Sequence, residues 1–146
     1  MNVQSAHVVL VSCVGQKLER PAAACDIYTS ALFTGMRTYA EMRASRWFIL
    51  SALHGVLKPT QVIEPYEQTL NKMGAKDRQE WTKGVCQSLS TLLLPDDSVT
   101  VLAGERYRAG VVPYLRERGF DVEIPMQGLR IGEQLRWLKQ HNSNGS

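Results

Sequence analysis

Short runs of β-branched and aliphatic residues, separated by longer segments of helical periodicity, constrain the fold of this chain most strongly. The runs at 7–13 ("HVVLVSC"), 46–50 ("RWFIL") and 99–103 ("VTVLA") barely alternate with polar residues, which is typical of strands covered on both faces of a parallel sheet. "DVEIP" predicts a short fourth strand. The sequence therefore predicts an α/β fold: a three-layer Rossmann-like domain with a mostly parallel sheet of about four strands and helices on both faces.

Apolar residues between these runs recur at intervals of three and four. They predict a helix over 26–44 with Asp26 as its N-cap, a second over 76–93, a third from Gly104 to about Arg118, and a final amphipathic helix in "RIGEQLRWLKQ". The polar end "HNSNGS" indicates fraying. We expect one domain over 1–141 and a disordered tail over 142–146.

Composition sets broad limits on the class of protein. A length of 146 residues with 44% hydrophobic residues suits one globular domain. The net charge of +3 is compatible with an anionic partner but does not by itself identify a nucleic-acid binder. The N-terminal apolar run is too short for a membrane helix and lacks the flanks of a signal peptide, so we expect a cytoplasmic protein with no membrane partner.

Cysteine and histidine spacing argues against disulfides and metals. Cys13, Cys25 and Cys86 match neither a disulfide framework nor paired zinc ligands, which also favours a reducing cytoplasm. The three histidines are far apart, and no helix carries two ligands at metal spacing. We expect no metal and no other cofactor.

Polar residues follow the predicted strands at the points where the strands end. Ligands of α/β sheets bind beyond the carboxyl ends of the strands, so the segments that begin at Ser12, Ser51, Gly104 and Pro125 should converge on one side. The stretch "SALHGVLKPTQVIEPY" would then lie at the site.

The loop "SCVGQK" brings a hydroxyl, a thiol and an ammonium together after the first strand. Backbone N–H groups and Lys17 would favour an anion near Ser12, or the thiolate form of a nucleophilic Cys13. The spacing does not match a P-loop. Alternatively, Cys13 is a small buried hydrophobe and Lys17 is solvated.

His54 and Glu64 are the candidate acid–base groups of the irregular segment. His54 could act as general acid or base, or only hydrogen-bond a carbonyl to hold the loop. Glu64 precedes a proline, which favours an extended backbone, and its carboxylate could orient a ribose hydroxyl, stabilise an oxocarbenium-like centre or act as a base. It could also pair with Arg46 or Lys58.

Each of two basic helical stretches could either bind an anionic ligand or serve only the fold. In "AGERYRAG", Gly104 at a strand-to-helix junction could bind phosphate or carboxylate, with Tyr107 and its flanking arginines as further donors, or the stretch could be an ordinary exposed helix. In "GLRIGEQLRWLKQ", Arg136 could contact a nucleic-acid backbone, whereas Trp137 and Leu138 favour packing of a terminal helix.

Several of these stretches resemble a known family. "VSCxxxK", "DIYTSALF", "WFILSALHGVL", "VIEPYEQTL" and "GxxIGEQLRWL" look like a bacterial and phage family of small uncharacterised proteins that is similar to YaaA-type peroxide-stress, DNA-binding proteins. That wider group also resembles a domain of archaeosine synthase, onto which only Cys13 and Lys17 carry over. The resemblance covers most of the chain and implies a nucleic-acid or nucleobase setting without supplying a reaction.

The leading hypothesis is a nucleic-acid-associated enzyme that acts on a nucleobase, nucleoside or nucleotide in modification or repair, with the N-glycosidic bond as a candidate point of reaction. The candidate catalytic residues are Glu64, His54 and Cys13. The candidate substrate-binding residues are Ser12, Lys17, Asp26, Tyr28, Ser51, Tyr66, Gly104, Tyr107 and Arg136. The alternatives are a non-catalytic DNA-binding or oxidative-stress-protection protein and a small-molecule binding module.

Overall fold

A computed structural model describes residues 6–12 and 17–143 of the chain. The strands are β1 (His7–Ser12), β2 (Ala22–Ala23), β3 (Arg46–Ser51), β4 (Gly55–Leu57), β5 (Val62–Ile63), β6 (Ser98–Leu102) and β7 (Asp121–Glu123). The helices are α1 (Ala24–Ile27), α2 (Ala31–Arg43), α3 (Ala75–Leu92), α4 (Glu105–Arg108), α5 (Val111–Glu117) and α6 (Ile131–Ser143), with a 3-10 turn at Leu70–Lys72.

Five strands form the main sheet in the order β4-β3-β1-β6-β7. β1 pairs in parallel with β3 and with β6, and β7 pairs in parallel with β6. Residues Val8 to Val11 of β1 are fully buried, which explains why the sequence of this central strand shows no polar alternation. The α/β class and the mostly parallel sheet are confirmed.

The sheet has one strand more than the four expected. β4 folds back antiparallel on β3, with Gly55 opposite Ser51. Gly55 has a φ of 74°, a left-handed conformation that glycine adopts without the steric cost of a Cβ. A separate antiparallel pair, β2 with β5, also lies in a segment predicted as loop, since two-residue strands carry no periodicity.

The first long helix begins later than the sequence predicts. α2 starts at Ala31, and Ser30 is its N-cap, with Ser30 Oγ accepting a hydrogen bond of 3.2 Å from the N–H of Phe33. Asp26 lies in the four-residue α1 instead, so its assignment as N-cap is wrong. The second predicted helix is confirmed by α3.

The third predicted helix is broken into α4 and α5 around Gly110. A Cβ at Gly110 would lie 2.5 Å from Thr82 Cγ2, too close for any real side chain. Glycine therefore allows the break to approach α3, a contact that local periodicity does not reveal.

The last helix, α6, packs against α2 and continues two residues into the predicted tail. Leu138 is buried, Trp137 lies 5.2 Å from the Tyr39 ring, and Arg43 donates a 2.6 Å hydrogen bond to the carbonyl of His141. These contacts support the packing interpretation of Trp137 and Leu138. Within the described residues no helix is both long and apolar enough to cross a membrane.

A buried carboxylate fixes the connection from α3 into β6. Asp97 is 3% exposed; its oxygens accept hydrogen bonds from the N–H groups of Leu94 (2.8 Å) and Ala6 (3.4 Å), and it pairs with the guanidinium of Arg46. Arg46 also donates to the carbonyl of Leu92 at 2.6 Å. The start of β3 is thereby joined to the end of α3.

We predict that Asp97→Asn lowers the free energy of unfolding by about 2 kcal/mol, because one buried oxygen that accepts hydrogen bonds is lost and the partly exposed Arg46 loses its carboxylate partner. Urea unfolding followed by circular dichroism measures the loss. Asp96→Asn, at the exposed neighbouring position, is the matched control and should change stability by less than about 0.5 kcal/mol. Equal effects of the two substitutions would contradict this role of Asp97.

Candidate functional site

The parallel strands bring three chain segments to one edge of the sheet. Ser12 lies beside Leu50 across the β1–β3 pair, and Val11 lies beside Leu102 across the β1–β6 pair. Since all three strands run in the same direction, the residues that follow them share the carboxyl edge. The predicted convergence of the segments at Ser12, Ser51 and Gly104 is therefore confirmed, and β7, parallel to β6, brings the segment of Pro125 to the same edge.

A cavity of about 330 Å³ lies at this edge, where the strand order reverses. The chain passes from β1 to β3 on one side and then crosses to β6 on the other, and α/β sheets leave a ligand crevice at such a switch point. We call this space the switch-point cavity. Its volume is within the range of small-molecule sites.

The switch-point cavity has a mixed apolar and polar lining. The apolar residues come from α2, β6, the β7–α6 segment and α6, and are Leu32, Met36, Val101, Ile124, Met126 and Ile131. The polar and charged residues are Ser12, Thr69, Asn71, Glu105, Arg106, Tyr107, Arg108 and Gln134. Ser12 is buried, whereas Asn71, Glu105 and Arg106 are exposed.

Backbone and side-chain hydrogen bonds shape the β6 side of the cavity. The N–H of Gly104 donates to Ser12 Oγ at 3.3 Å, which joins the ends of β1 and β6. Arg108 donates to the carbonyl of Ala103 at 2.9 Å, so this arginine holds the junction. Gln134 Nε2 donates to the carbonyl of Leu129 at 2.9 Å, which orients its amide in the cavity lining.

A second group of polar side chains lies at the end of β3. Ser51 Oγ is 2.7 Å from the hydroxyl oxygen of Tyr66, which is 2.6 Å from the hydroxyl oxygen of Tyr28. We call these three residues the hydroxyl chain. Ser51 is fully buried and Tyr28 is 3% exposed, whereas Tyr66 is half-buried. Tyr66 is thus the member most open to a ligand.

Lys17 lies over the hydroxyl chain. Its Nζ is 4.6 Å from the ring centroid of Tyr66 and 5.6 Å from that of Tyr28. An antiparallel backbone contact pairs Lys17 with Tyr28, and the N–H of Leu18 donates to the carbonyl of Ile27 at 2.8 Å. The backbone therefore positions the ammonium above the two rings, where cation–π attraction favours it.

Trp81 connects the hydroxyl chain to the switch-point cavity. Its indole Nε1 donates to the carbonyl of Ser51 at 2.8 Å, and its ring meets that of Tyr107, a cavity residue, edge to face at 5.5 Å. The sequence indicates Trp81 only as an apolar position of a helix. A largely buried tryptophan needs a partner for its N–H, but the identity of that partner depends on the tertiary structure.

His54 contacts the hydroxyl chain through its backbone and its ring. Its N–H donates to Ser51 Oγ at 3.1 Å, and its exposed imidazole lies perpendicular to the Tyr66 ring with 5.6 Å between centroids. The loop is held by the backbone N–H, and within the described chain the imidazole makes no hydrogen bond to a carbonyl. The imidazole is therefore not what holds the loop.

The other candidate residues are less closely tied to this edge. Glu64 is exposed and forms no hydrogen bond or ion pair among the described residues, so it does not pair with Arg46. Asp26 pairs with Arg37 at 2.7 Å. Arg136 is exposed on α6. Cys13 lies outside the described residues.

The cavity also includes residues that the sequence did not single out. Thr69 and Asn71 lie at the 3-10 turn and Gln134 lies in α6, far from that turn in the chain. No local pattern marks an isolated amide as a ligand contact. In the described part of the chain, no three His, Cys, Asp or Glu residues are placed to hold a metal ion.

Two cysteines have depressed acidity. Burial raises the pKa of the Cys86 thiol, and burial also raises that of Cys25, against the opposing effect of Arg37. Both thiols are free. Their thiolate fraction at neutral pH is therefore below that of an ordinary cysteine.

We predict that Cys25 and Cys86, isolated in a Cys13→Ser variant, react with Ellman's reagent at pH 8 at least about tenfold more slowly than in the same chain unfolded in guanidinium chloride. Folding raises the pKa of both thiols. The two thiols therefore contribute fully to the free energy of unfolding below the pKa of an unfolded thiol, and this contribution is lost as pH rises through their folded pKa values. A rapid burst of two thiols from the folded variant would contradict the prediction.

The comparisons with known proteins bear on the family of this chain. No curated protein matches it. The model of a protein family of unknown function matches residues 8–140, which is nearly the whole length. The chain therefore belongs to this family, DUF6884.

Proposed function

We propose that this protein is an enzyme that acts on a nucleoside or nucleotide, whose base is held in the switch-point cavity. The observation that carries the proposal is a cavity at the point of strand reversal whose lining combines apolar side chains with the amides of Asn71 and Gln134. A nucleobase has two apolar faces and an edge of donors and acceptors, so it needs both kinds of lining.

The lining provides a group for each part of such a ligand. The amides of Asn71 and Gln134 can read the base edge, since an amide offers both a donor and an acceptor. Arg106 is exposed at the mouth and can contact a phosphate. Ser12 already accepts from Gly104, which leaves its hydroxyl proton for a ligand oxygen.

The candidates for the catalytic roles are His54, in the loop after β3, and two residues that the sequence alone indicates. His54 is the proposed acid or base, Glu64 the electrostatic or nucleophilic carboxylate, and Cys13 the candidate nucleophile. Hydrolysis or transfer at an N-glycosidic bond in nucleic-acid modification fits this set, because it needs proton transfer and a carboxylate near an oxocarbenium-like centre. A relation to YaaA-type proteins and to archaeosine synthase, which we propose from the sequence stretches alone, would agree with the nucleobase setting.

We also propose the three-layer, Rossmann-like arrangement for the sheet. The chain moves in opposite directions from β1 to β3 and from β3 to β6. Right-handed crossovers then place α2 and α3 on opposite faces. In support, α2 contacts β1 and α6, whereas α3 contacts β4 and α5.

We predict that Ile131→Trp weakens nucleoside binding at least about tenfold, because the indole enters the cavity that the base would occupy. Ile131 is 66% exposed and lines the cavity, so the substitution should leave the fold intact. Isothermal titration calorimetry with the common nucleosides and their 5′-monophosphates measures the change. Leu94→Trp is the matched control, at a residue 50% exposed outside the cavity lining, and should bind as the wild type does.

A measurement of product formation distinguishes an enzyme from a protein that only binds its ligand. Nucleosides, nucleotides and single-stranded DNA are incubated with the protein, and free base is measured by liquid chromatography. Release of base that Ile131→Trp abolishes would support the proposal. Saturable binding without any product would favour a small-molecule binding module, and no binding of any of these ligands would overturn the proposal.

The non-catalytic DNA-binding alternative makes a different prediction. If lysine and arginine contacts to phosphates dominate, the affinity for duplex DNA falls steeply with salt and is independent of sequence. It should also be unaffected by Ile131→Trp. Fluorescence anisotropy across a salt series measures both properties, and we expect weak duplex binding, with any single-strand binding sensitive to the cavity substitution.

A further inference from the structure

A surface groove runs between α3 and the α4–α5 segment. Its first part, a space of about 630 Å³, lies between α3 and α4, and its second part, of about 600 Å³, lies between α3 and α5. Gly110 lines both parts, so they form one continuous groove. We call it the α3–α5 groove, and its charged and aromatic lining residues are Arg78, Lys83, Glu105, Arg106, Tyr114 and Arg118.

Positive charge predominates in the α3–α5 groove. Among the described residues that line it, four cationic side chains face one carboxylate, a net charge of +3 that equals the net charge of the whole chain. Lys83 and Arg118 share the second part of the groove, and no described carboxylate lines that part. The acidic residues of α3, Asp77 and Glu80, are exposed and are not among the described lining residues.

The four cationic side chains of the groove form no ion pair with a carboxylate in the described part of the chain. Lys83, Arg106 and Arg118 are exposed. Arg78 is half-buried, and its Nη1 donates to the carbonyl of Met73, which orients the guanidinium and leaves other N–H donors for a ligand. Cations of one groove repel one another, and a bound polyanion relieves this repulsion.

One end of the groove meets the switch-point cavity. Glu105 and Arg106 line both spaces. If a nucleotide base lies in the cavity, Arg106 can contact the phosphate next to it. The phosphates that follow along a strand would then pass into the groove, toward Lys83 and Arg118.

The dimensions and the lining of the groove suit a single strand of nucleic acid. α3 lines it from Ala75 to Ser90, which is about 22 Å of helix and corresponds to about six nucleotides at stacked spacing. Tyr114 adds an aromatic ring, 5.8 Å from the guanidinium of Arg118. Basic grooves with aromatic side chains bind single strands without sequence preference. An acidic peptide would meet the same cations but has no base for the adjoining cavity.

We propose that the α3–α5 groove binds the sugar–phosphate backbone of a single-stranded nucleic acid, one nucleotide of which places its base in the switch-point cavity. The substrate of the site is then a polynucleotide strand rather than a free nucleoside. A base must be unpaired to enter such a pocket, so the strand is single at that point. The position of the base rests on the proposed function, whereas the contacts of the groove with phosphates do not.

The test measures the affinity for a short fluorescein-labelled single-stranded DNA by fluorescence anisotropy over a salt series. The double variant Lys83→Gln, Arg118→Gln should bind at least about tenfold more weakly at low salt. The slope of log affinity against log salt concentration should become shallower by about 1.4, because each phosphate contact on a single strand contributes about 0.7. Each single substitution should give about half of this change in slope.

The matched control is the double variant Arg20→Gln, Lys139→Gln. It also removes one arginine and one lysine, so the net charge changes equally. Both residues are exposed and neither is among the described residues that line the groove or the cavity. We expect the control to keep the salt slope of the wild type and to change the affinity by less than about threefold.

Nucleoside binding separates this inference from the proposed function. Lys83 and Arg118 lie outside the cavity lining, so their double variant should bind nucleosides as the wild type does, whereas Ile131→Trp should weaken the binding of both nucleosides and strand. Strand binding that needs the groove cations, without any nucleoside binding, would overturn the proposed function and support the phosphate contacts of the groove. Nucleoside binding without groove-dependent strand binding would overturn this inference alone.

Three further results would overturn the inference. The first is a salt slope that Lys83→Gln, Arg118→Gln leaves unchanged or that the control pair lowers equally. The second is an affinity for duplex DNA of the same sequence that equals or exceeds the affinity for the single strand. The third is displacement of the labelled strand by polyglutamate as readily as by unlabelled single strand, which would assign the groove to an acidic protein segment. Circular dichroism establishes that the variants are folded, as we expect of substitutions at exposed residues.

Discussion

The parallel pairing of β1 with both β3 and β6 is the constraint on which the rest of this structure depends. It aligns Ser12 with Leu50 and Val11 with Leu102, so that the segments following all three strands meet at one edge. The strand order reverses at the same place, and the helices that follow β1 and β6 diverge to leave the switch-point cavity. Slippage of β1 by one residue would reverse the faces of its side chains and separate Ser12 from Gly104.

Two kinds of environment meet at this edge. The switch-point cavity is lined by apolar side chains together with polar and charged ones. Beside it, the hydroxyl chain and Lys17 concentrate hydrogen-bond donors and positive charge around one phenol. Trp81 ties the two together, since its indole N–H holds the Ser51 carbonyl while its ring packs on Tyr107. The edge therefore carries two neighbouring but distinct groups of residues.

Individual elements show how far sequence reasoning reached. β1, β3, β6 and α3 were predictable because each has a long, uniform apolar pattern set by burial. β4 was missed because Gly55 reverses the chain immediately after a strand, where a loop and a hairpin look alike. The division of α4 from α5 was missed because the break lies at Gly110, which approaches Thr82 of α3, and a contact between residues this far apart in the chain leaves no mark on local periodicity. Ser30 and Asp26 are both good capping residues, and local sequence does not choose between them.

The sequence by itself determined the α/β class and the edge at which polar groups gather, because burial and strand direction follow from local patterns of hydrophobicity. It also placed Ser51, His54 and Tyr66 in one segment. Only the tertiary structure decided which of these groups contact one another. Tyr66 lies between Ser51 and Tyr28, beneath Lys17. Arg46 pairs with Asp97 rather than with Glu64, and Trp81 donates a hydrogen bond to the carbonyl of Ser51. Such pairings join residues far apart in the chain, and their energies depend on distances and orientations that no local pattern encodes.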